Sequence, residues 1–289
     1  MSASHLLRHL HLPSITPFTR AQHLQSALVS QFLSYKAAVS SPTPPPALPP
    51  APVPTLLTFT PTPVYTTGRR ELGTLTPSQI ASLKEPLSNI SHDHDPDLNV
   101  AAVHETLRGG QITYHGPGQL VIYPILDLKG LHSPVWPRGL TARCYVNLLE
   151  ETTIRTLAQF DIRGQRTDNP GVWVDDDTKI AALGVHLRRN ITSYGVGLNV
   201  NTELRWFDRI VACGLEGKKT TSLQVEGAKR ETGADCSRIL RPEEIATIWA
   251  GEFAKGLWGD EGKVEMAQDE EQLEKHALGE GVDEQTRVE

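Results

Sequence analysis

Arg108-Gly-Gly-Gln-Ile-Thr-Tyr-His-Gly-Pro-Gly-Gln119 runs directly into Leu120-Val-Ile-Tyr-Pro-Ile-Leu-Asp-Leu128. The first stretch carries Gly109, Gly110, Gly116 and Gly118 within eleven residues. Glycine at this density lets backbone N–H groups approach a ligand closely, as in an anion or carbonyl cradle. A tight turn feeding the next strand would use the same residues. Neither the G-x-G-x-x-G nor the G-x-x-x-x-G-K nucleotide spacing is present. The second stretch is the near-continuous apolar run of a strand buried on both faces.

Working outward, residues 16–38 place Phe18, Leu24, Leu28, Phe32 and Tyr35 at helical intervals, and residues 140–160 predict a second helix. Between the first helix and a strand at Leu56–Phe59 lies a proline-dense insertion, residues 40–54, able to form neither helix nor central strand. Residues 84–98 read as a polar loop. From Gly171 to Val200 the pattern predicts three short strands, with turns at Asp175–Thr178 and Arg188–Asn190. Lys179 then opens a strand just past a turn. Pro242-Glu-Glu starts a helix whose inner face is Ile245, Ile248, Trp249, Phe253 and Leu257. Residues 1–258 are expected to form one domain, and the acidic stretch 259–289 a disordered tail.

The 289-residue chain has a net charge of −6, against the basic face that a nucleic-acid binder normally shows. Residues 259–289 hold 11 acidic and 3 basic residues, leaving a mildly positive body that suits an acidic protein substrate. Three cysteines (Cys144, Cys213 and Cys236) make no disulfide framework and point to a reducing compartment. No apolar run approaches the roughly 20 residues of a membrane span. No acidic residue precedes Glu71, whereas Arg8, Arg20, Lys36 and several serines and histidines do. Such a start suits a mitochondrial transit peptide. A basic amphipathic helix of the fold is the other reading.

A free thiol titrates near 8.5, and a cation within about 4–6 Å favours its thiolate. Lys179 is a candidate for that cation and Cys213 for the nucleophile; a surface lysine and a small buried cysteine are the plain alternative. Gly195-Val-Gly197 reads as a strand bulge or a close packing point. His92 and His94 read as loop residues rather than metal ligands. Cys144 reads as core beside Leu148, and Cys236 as incidental. No metal site is expected.

The run Arg108–Gln119 resembles the signature of the lipoyl(octanoyl) transferases. The likeness continues through Gly171-Val-Trp-Val174, Lys179-Ile-Ala-Ala-Leu-Gly184, Gly195-Val-Gly-Leu-Asn-Val-Asn201, Cys213-Gly214 and Thr221-Ser-Leu223, covering roughly residues 8–258. It implies a single α+β domain, a mixed β-sheet flanked by helices, of the biotin/lipoate-protein-ligase type. It implies Cys213 as acyl carrier and Lys179 as the group that tunes the thiol. By position, Arg108, Gly109, Gly110, Gln111, Ile112, Thr113, Tyr114 and His115 would line the acyl pocket together with Ala182, Leu183, Gly184, Gly195, Val196 and Gly197. The implied donor is octanoyl-acyl carrier protein. The implied acceptor is the lysine of a lipoyl domain, in 2-oxoacid dehydrogenase complexes or the glycine-cleavage H protein. No cofactor is implied, because thioester exchange followed by amide formation runs without nucleotide activation. A monomer in the mitochondrion is the expected state, without nucleic-acid or membrane partners.

The sequence departs from the family pattern at Ala212 (a proline expected), at Tyr194 (often histidine) and at Thr60-Pro-Thr-Pro63. The rival readings are an ATP-dependent lipoate or biotin ligase of the same fold and a non-catalytic carrier-protein-binding paralogue. A cysteine hydrolase using His115 is more distant.

Overall fold

The computed structural model describes residues 5–43, 45–88, 98–211, 214, 217–229 and 239–267. Strand β1 (Leu6–Thr16) leads into helix α1 (Phe18–Val39), and β2 (Thr55–Pro61) and β3 (Val64–Thr67) follow the proline-rich insertion. Helix α2 (Pro77–Leu83) precedes β4 (Ala102–Glu105), β5 (Thr113–His115) and β6 (Gln119–Ile125). Then come α3 (Ala142–Ala158), β7 (Val172–Trp173), β8 (Thr178–Arg188) and β9 (Ile191–Asn199). The remaining elements are β10 (Lys219–Thr220), α4 (Leu223–Ala228), α5 (Pro242–Trp258) and β11 (Lys263–Met266).

The main sheet is mixed, in the order β10-β8-β9-β6-β2-β1-β11, with β7 also paired to β8. A small second sheet has the order β4-β3-β5. Strand alternation divides the apolar side chains of the main sheet between two faces. Leu56, Leu120 and Ile122 pack with α3 and α5, whereas Leu57, Phe59, Val121, Tyr123 and Ile125 pack with Phe18, Leu24, Leu28 and Phe32 of α1. All seven residues of β6 are buried, as its apolar run predicts. The expected single α+β layout is therefore the observed one.

Pro124 has no N–H to give, and the pairing of β6 with β9 ends at Ile122 and Val196. Beyond that point Tyr194 takes a left-handed φ of 58°, and its N–H is accepted by the buried Gln25 Oε1 of α1 at 2.5 Å. A non-glycine residue held there carries strain of about 1–2 kcal/mol. Arg189 and Asn190 (φ 52° and 66°) form the tight turn between β8 and β9. Two of the three short strands expected after Gly171 are thus long, at 11 and 9 residues.

Two expectations are corrected, and one segment is placed. Residues 6–16 form β1, which lies between β2 and β11 with Leu7, Leu10 and Leu12 in the core, and the acid-free stretch after it supplies α1. Its buried His9 and half-buried His11 both reach the hydroxyl of Thr58, His9 through Nε2 at 2.8 Å and His11 through Nδ1 at 2.9 Å. Order does not end at Trp258. Strand β11 pairs in parallel with β1 from Leu6–Lys263 to His9–Met266, its side chains exposed and its backbone bonded. Cys144 is half-buried near the start of α3, not core. The described part of the insertion has neither helix nor strand. His92, His94, Cys213 and Cys236, with residues 268–289 of the tail, lie outside the described residues.

Candidate active site

Strands β8 and β9 run side by side with Ala182 opposite Gly197, Leu183 opposite Val196, and Gly184 opposite Gly195. Ala182, Gly184, Gly195 and Gly197 carry little or no side chain and leave a slot above the sheet. A methyl group on Gly197 would meet Gln119 Oε1 and the His115 ring at 3.2 Å. One on Gly195 would fall 2.2 Å from the carbonyl oxygen of Ile122. Glycine is required at Gly195 by the close approach of β6, and at Gly197 to leave the slot open.

Two small cavities, of about 20 Å³ each, share Thr113, Ala182 and Gly197 and adjoin along one cleft. One end is walled by Tyr123, Tyr194, Gly184 and Gly195. The other is lined by Gln119, Lys179, Asn199, Phe207 and Thr220.

Lys179 is buried at the start of β8. Its Nζ donates to the carbonyl of Pro170 at 3.2 Å and lies 4.6 Å from the centroid of the Trp173 ring. The backbone just past it is fixed as well, since the Thr221 N–H donates to the Lys179 carbonyl. A cation so held is a defined electrostatic element rather than a solvated side chain.

A buried polar chain crosses the cleft. Asn199 Nδ2 donates to the Thr221 carbonyl, and Gln119 Nε2 donates to Asn199 Oδ1 at 2.8 Å and to the Tyr114 carbonyl. With the Gln119 amide nitrogen so committed, Oε1 is the acceptor facing His115 Nδ1 at 2.6 Å. That nitrogen carries the proton, and Nε2 of His115 is left as an acceptor. Burial, and next the Arg108 guanidinium, push His115 down to about 4 against the opposing Gln119 bond. The imidazole is neutral at physiological pH, its face stacked on Phe18.

Arg108 anchors the roof. Its guanidinium donates to Thr66 O, Thr66 Oγ1, Gly109 O and Gln111 O, tying the glycine loop to β3. The Gly109 N–H is taken by Val185 O of β8, so this glycine supplies a strut rather than a ligand donor.

Of the residues expected to line the pocket, ten do: Arg108, Gly110, Thr113, His115, Ala182, Leu183, Gly184, Gly195, Val196 and Gly197. Gly109, Gln111, Ile112 and Tyr114 do not line it. Strand alternation is the reason: Thr113 and His115 face the cleft, while Ile112 and Tyr114 join the cluster of Tyr65 and Trp206. Gln111 instead packs against Gly214, where a methyl group would strike its amide. The sequence reading gave no role to Tyr123, Phe207 or Asn199. The one available signal was a buried amide inside an otherwise apolar strand, which must find partners.

This fold, a mixed sheet carrying a glycine-floored slot, is that of the lipoate-protein ligases. A lipoate-protein ligase A solved with ATP superposes with a TM-score of 0.54 at 11% identity, covering 94% of this chain and 93% of that one. The archaeal bi-partite ligase of Thermoplasma acidophilum gives 0.51 at 12%, covering 95% and 92%. Residues 50–241 match the lipoyl protein ligase A/B catalytic domain. The "Probable octanoyltransferase" of Schizosaccharomyces pombe is 43% identical over 215 residues, 74% of this chain and 83% of that protein. The mitochondrial octanoyltransferase of Saccharomyces cerevisiae is 40% identical over 183 residues, 60% of this chain and 53% of its own length. The mitochondrial octanoyl-[acyl-carrier-protein]:protein N-octanoyltransferase of Danio rerio is 50% identical over 121 residues, 42% of this chain and 50% of its own. The chain thus spans about half the length of these last two relatives. It belongs to the lipoyl protein ligase A/B catalytic-domain family, in its octanoyltransferase branch.

Proposed function

We propose that the protein moves an octanoyl group from octanoyl-acyl carrier protein to the lysine of a lipoyl domain, through a thioester on Cys213. The observation that carries the reading is the cleft itself: an apolar slot floored by Gly184, Gly195 and Gly197 that leads to a buried, fixed lysine. The apolar lining of the first part suits an acyl chain, and the lysine of the second suits charged chemistry.

In the first half-reaction the Cys213 thiolate attacks the donor thioester carbonyl. A bond from sulfur to carbonyl carbon forms, the carrier's sulfur leaves as thiolate, and the Lys179 ammonium gives it a proton, which leaves Lys179 as the neutral amine. Lys179, as ammonium, favours the attacking thiolate. In the second half-reaction the acceptor lysine amine attacks the acyl-cysteine. Cys213 leaves as thiolate, and the proton lost by the amine is taken up by Lys179 acting as base. Thioester exchange is nearly thermoneutral and amide formation runs downhill, so no ATP enters. Octanoyl transfer is also what the names of the relatives describe, and the mitochondrial yeast and Danio rerio proteins support residence in that organelle.

The test is intact-mass spectrometry after mixing with octanoyl-acyl carrier protein without ATP, beside Cys213→Ser. One hydroxylamine-sensitive octanoyl adduct on the unsubstituted protein alone, discharged by a lipoyl domain, is expected. An adduct that requires ATP would favour a ligase. Carrier binding with no adduct would favour a binding module.

A further inference from the structure

Pro170 and Gly171 share one peptide group, and that group is held from both ends. Lys179 Nζ donates to its carbonyl oxygen at 3.2 Å. Its N–H, from Gly171, donates to Glu150 Oε1 at 3.1 Å. The other carboxylate oxygen of Glu150 takes the Arg166 Nε–H at 3.1 Å. Glu150 lies on α3, is buried, and stands twenty-nine positions before Lys179 in the chain. We propose that Glu150 is the positioning residue for Lys179, acting through this peptide group and itself held by Arg166.

The peptide bonds of the described chain are all trans, so this N–H and C=O point in opposite directions. The carboxylate sits at the positive end of the peptide dipole and the ammonium at the negative end. Each hydrogen bond polarises the amide in the sense that strengthens the other. The result is an ion pair bridged by one amide, with alternating charge from Arg166 to Glu150 to Lys179. The bridge needs a backbone that passes close to β8. A methyl group at Gly171 would fall 2.6 Å from the Ala181 carbonyl, and the φ of 122° there is one that side-chain-bearing residues avoid. Trp173 completes the hold, its indole N–H donating to Asn169 O while its ring faces Lys179 Nζ.

The inference rests on the proposed pairing of Lys179 with the Cys213 thiol, and the experiment separates the two. The rate of iodoacetamide alkylation at Cys213, read by peptide mass spectrometry, is measured against pH for the unsubstituted protein, Glu150→Ala, Glu150→Gln and Arg166→Gln. Thermal midpoints and octanoyl-transfer kcat and KM are measured alongside. Glu150→Ala is expected to move the alkylation midpoint up by about one pH unit, a tenfold loss of thiolate below it, and to lower kcat by a similar factor. KM for the donor should hold. Glu150→Gln, whose amide oxygen still accepts from Gly171, should recover most of the rate. Arg166 is partly exposed, so Arg166→Gln should fold in any case and shift the midpoint the same way by less. A depressed midpoint that none of the three substitutions moves overturns the role of Glu150. An ordinary midpoint near 8.5 in the unsubstituted protein overturns the Lys179–Cys213 pairing itself, and with it this role.

Discussion

Replacing Gly197 by alanine tests whether the slot is the acyl track. The added methyl group would sit 3.2 Å from Gln119 Oε1 and 3.2 Å from the His115 ring, both side-chain atoms able to give by a few tenths of an ångström. Overpacking of this mild kind costs about 1 kcal/mol, the low end of the usual range. For a domain of this size that lowers Tm by about 2–4 °C. The effect on function should be larger, because Gly197 lines both halves of the cleft. One methylene's worth of space in an apolar pocket changes kcat/KM by about 10- to 200-fold. Octanoyl transfer should fall within that range, and a butanoyl donor, filling less of the slot, should lose less. Gly195→Ala is the contrasting control. Its methyl group would lie 2.2 Å from a backbone oxygen of the central strand β6 and 2.9 Å from Pro124 Cδ, so the strand itself must move. A cost above about 3 kcal/mol and a Tm loss of at least about 6 °C are expected. The assays are differential scanning calorimetry and steady-state transfer with donors of four and eight carbons. Full octanoyl kcat/KM in Gly197→Ala, with Tm lowered as expected, would refute the reading of this slot as the acyl site.

Lys179→Met should lower the rate of acyl-enzyme formation by about 10²- to 10⁴-fold while donor binding persists, as rapid-quench mass spectrometry would show. Gln119→Met strands His115 Nδ1 and Asn199 Oδ1 and should cost about 2–4 kcal/mol in urea denaturation; an unchanged midpoint would mean the buried chain contributes nothing. His9 and His115 are both lowered from 6.5 to about 4, His9 by burial and then by His11. The folded state therefore binds fewer protons than the unfolded between those values, and stability falls as pH drops from 6.5 toward 4. At pH 5 each histidine costs about 2 kcal/mol, so Tm should lie roughly 8–16 °C below its value at pH 7.5. Glu203 and Asp175, held below their usual ranges by Arg205 and the Asp177 N–H, are silent in that window, so a flat Tm from pH 7.5 to 5 would contradict the burial argument.

Elements whose residues bury a face were legible in the sequence. Helices α1, α3 and α5 show the helical period, β6 its unbroken apolar run, and the β8–β9 turn its Arg189-Asn190 pair. Strand β11 was not legible, since it bonds only through its backbone at the edge of β1 and hides no side chain. Strand β1 does show alternation, with Leu10 and Leu12 inside. The basic, acid-free composition around it pointed elsewhere, and nothing local reveals that Thr58, 49 positions from His9, bonds both histidines. The pocket residues came from a resemblance that carries contiguous runs. Alternation of β5 then divided that run, sending Thr113 and His115 inward and Ile112 and Tyr114 away. The support of Lys179 was invisible for a different reason. Glu150, Pro170 and Gly171 form no spaced motif, and their relation exists only once α3 packs beside β7.

The distribution of polarity around the cleft follows from one constraint. An apolar chain can enter a buried slot only if no polar group there loses water without a replacement partner. Glycine and alanine on β8 and β9 meet that constraint by offering no side-chain donors along the floor. The polar groups that the chemistry requires then have to be satisfied from outside the slot. His115 is satisfied through Gln119, Asn199 and Thr221, and Lys179 through the Pro170–Gly171 peptide and Glu150. The first chain continues from the cleft wall to the Thr221 carbonyl, and the second through Glu150 to Arg166. On the proposed function the slot is thereby left to an acyl chain, while His115 and Lys179 are held by partners of the protein's own.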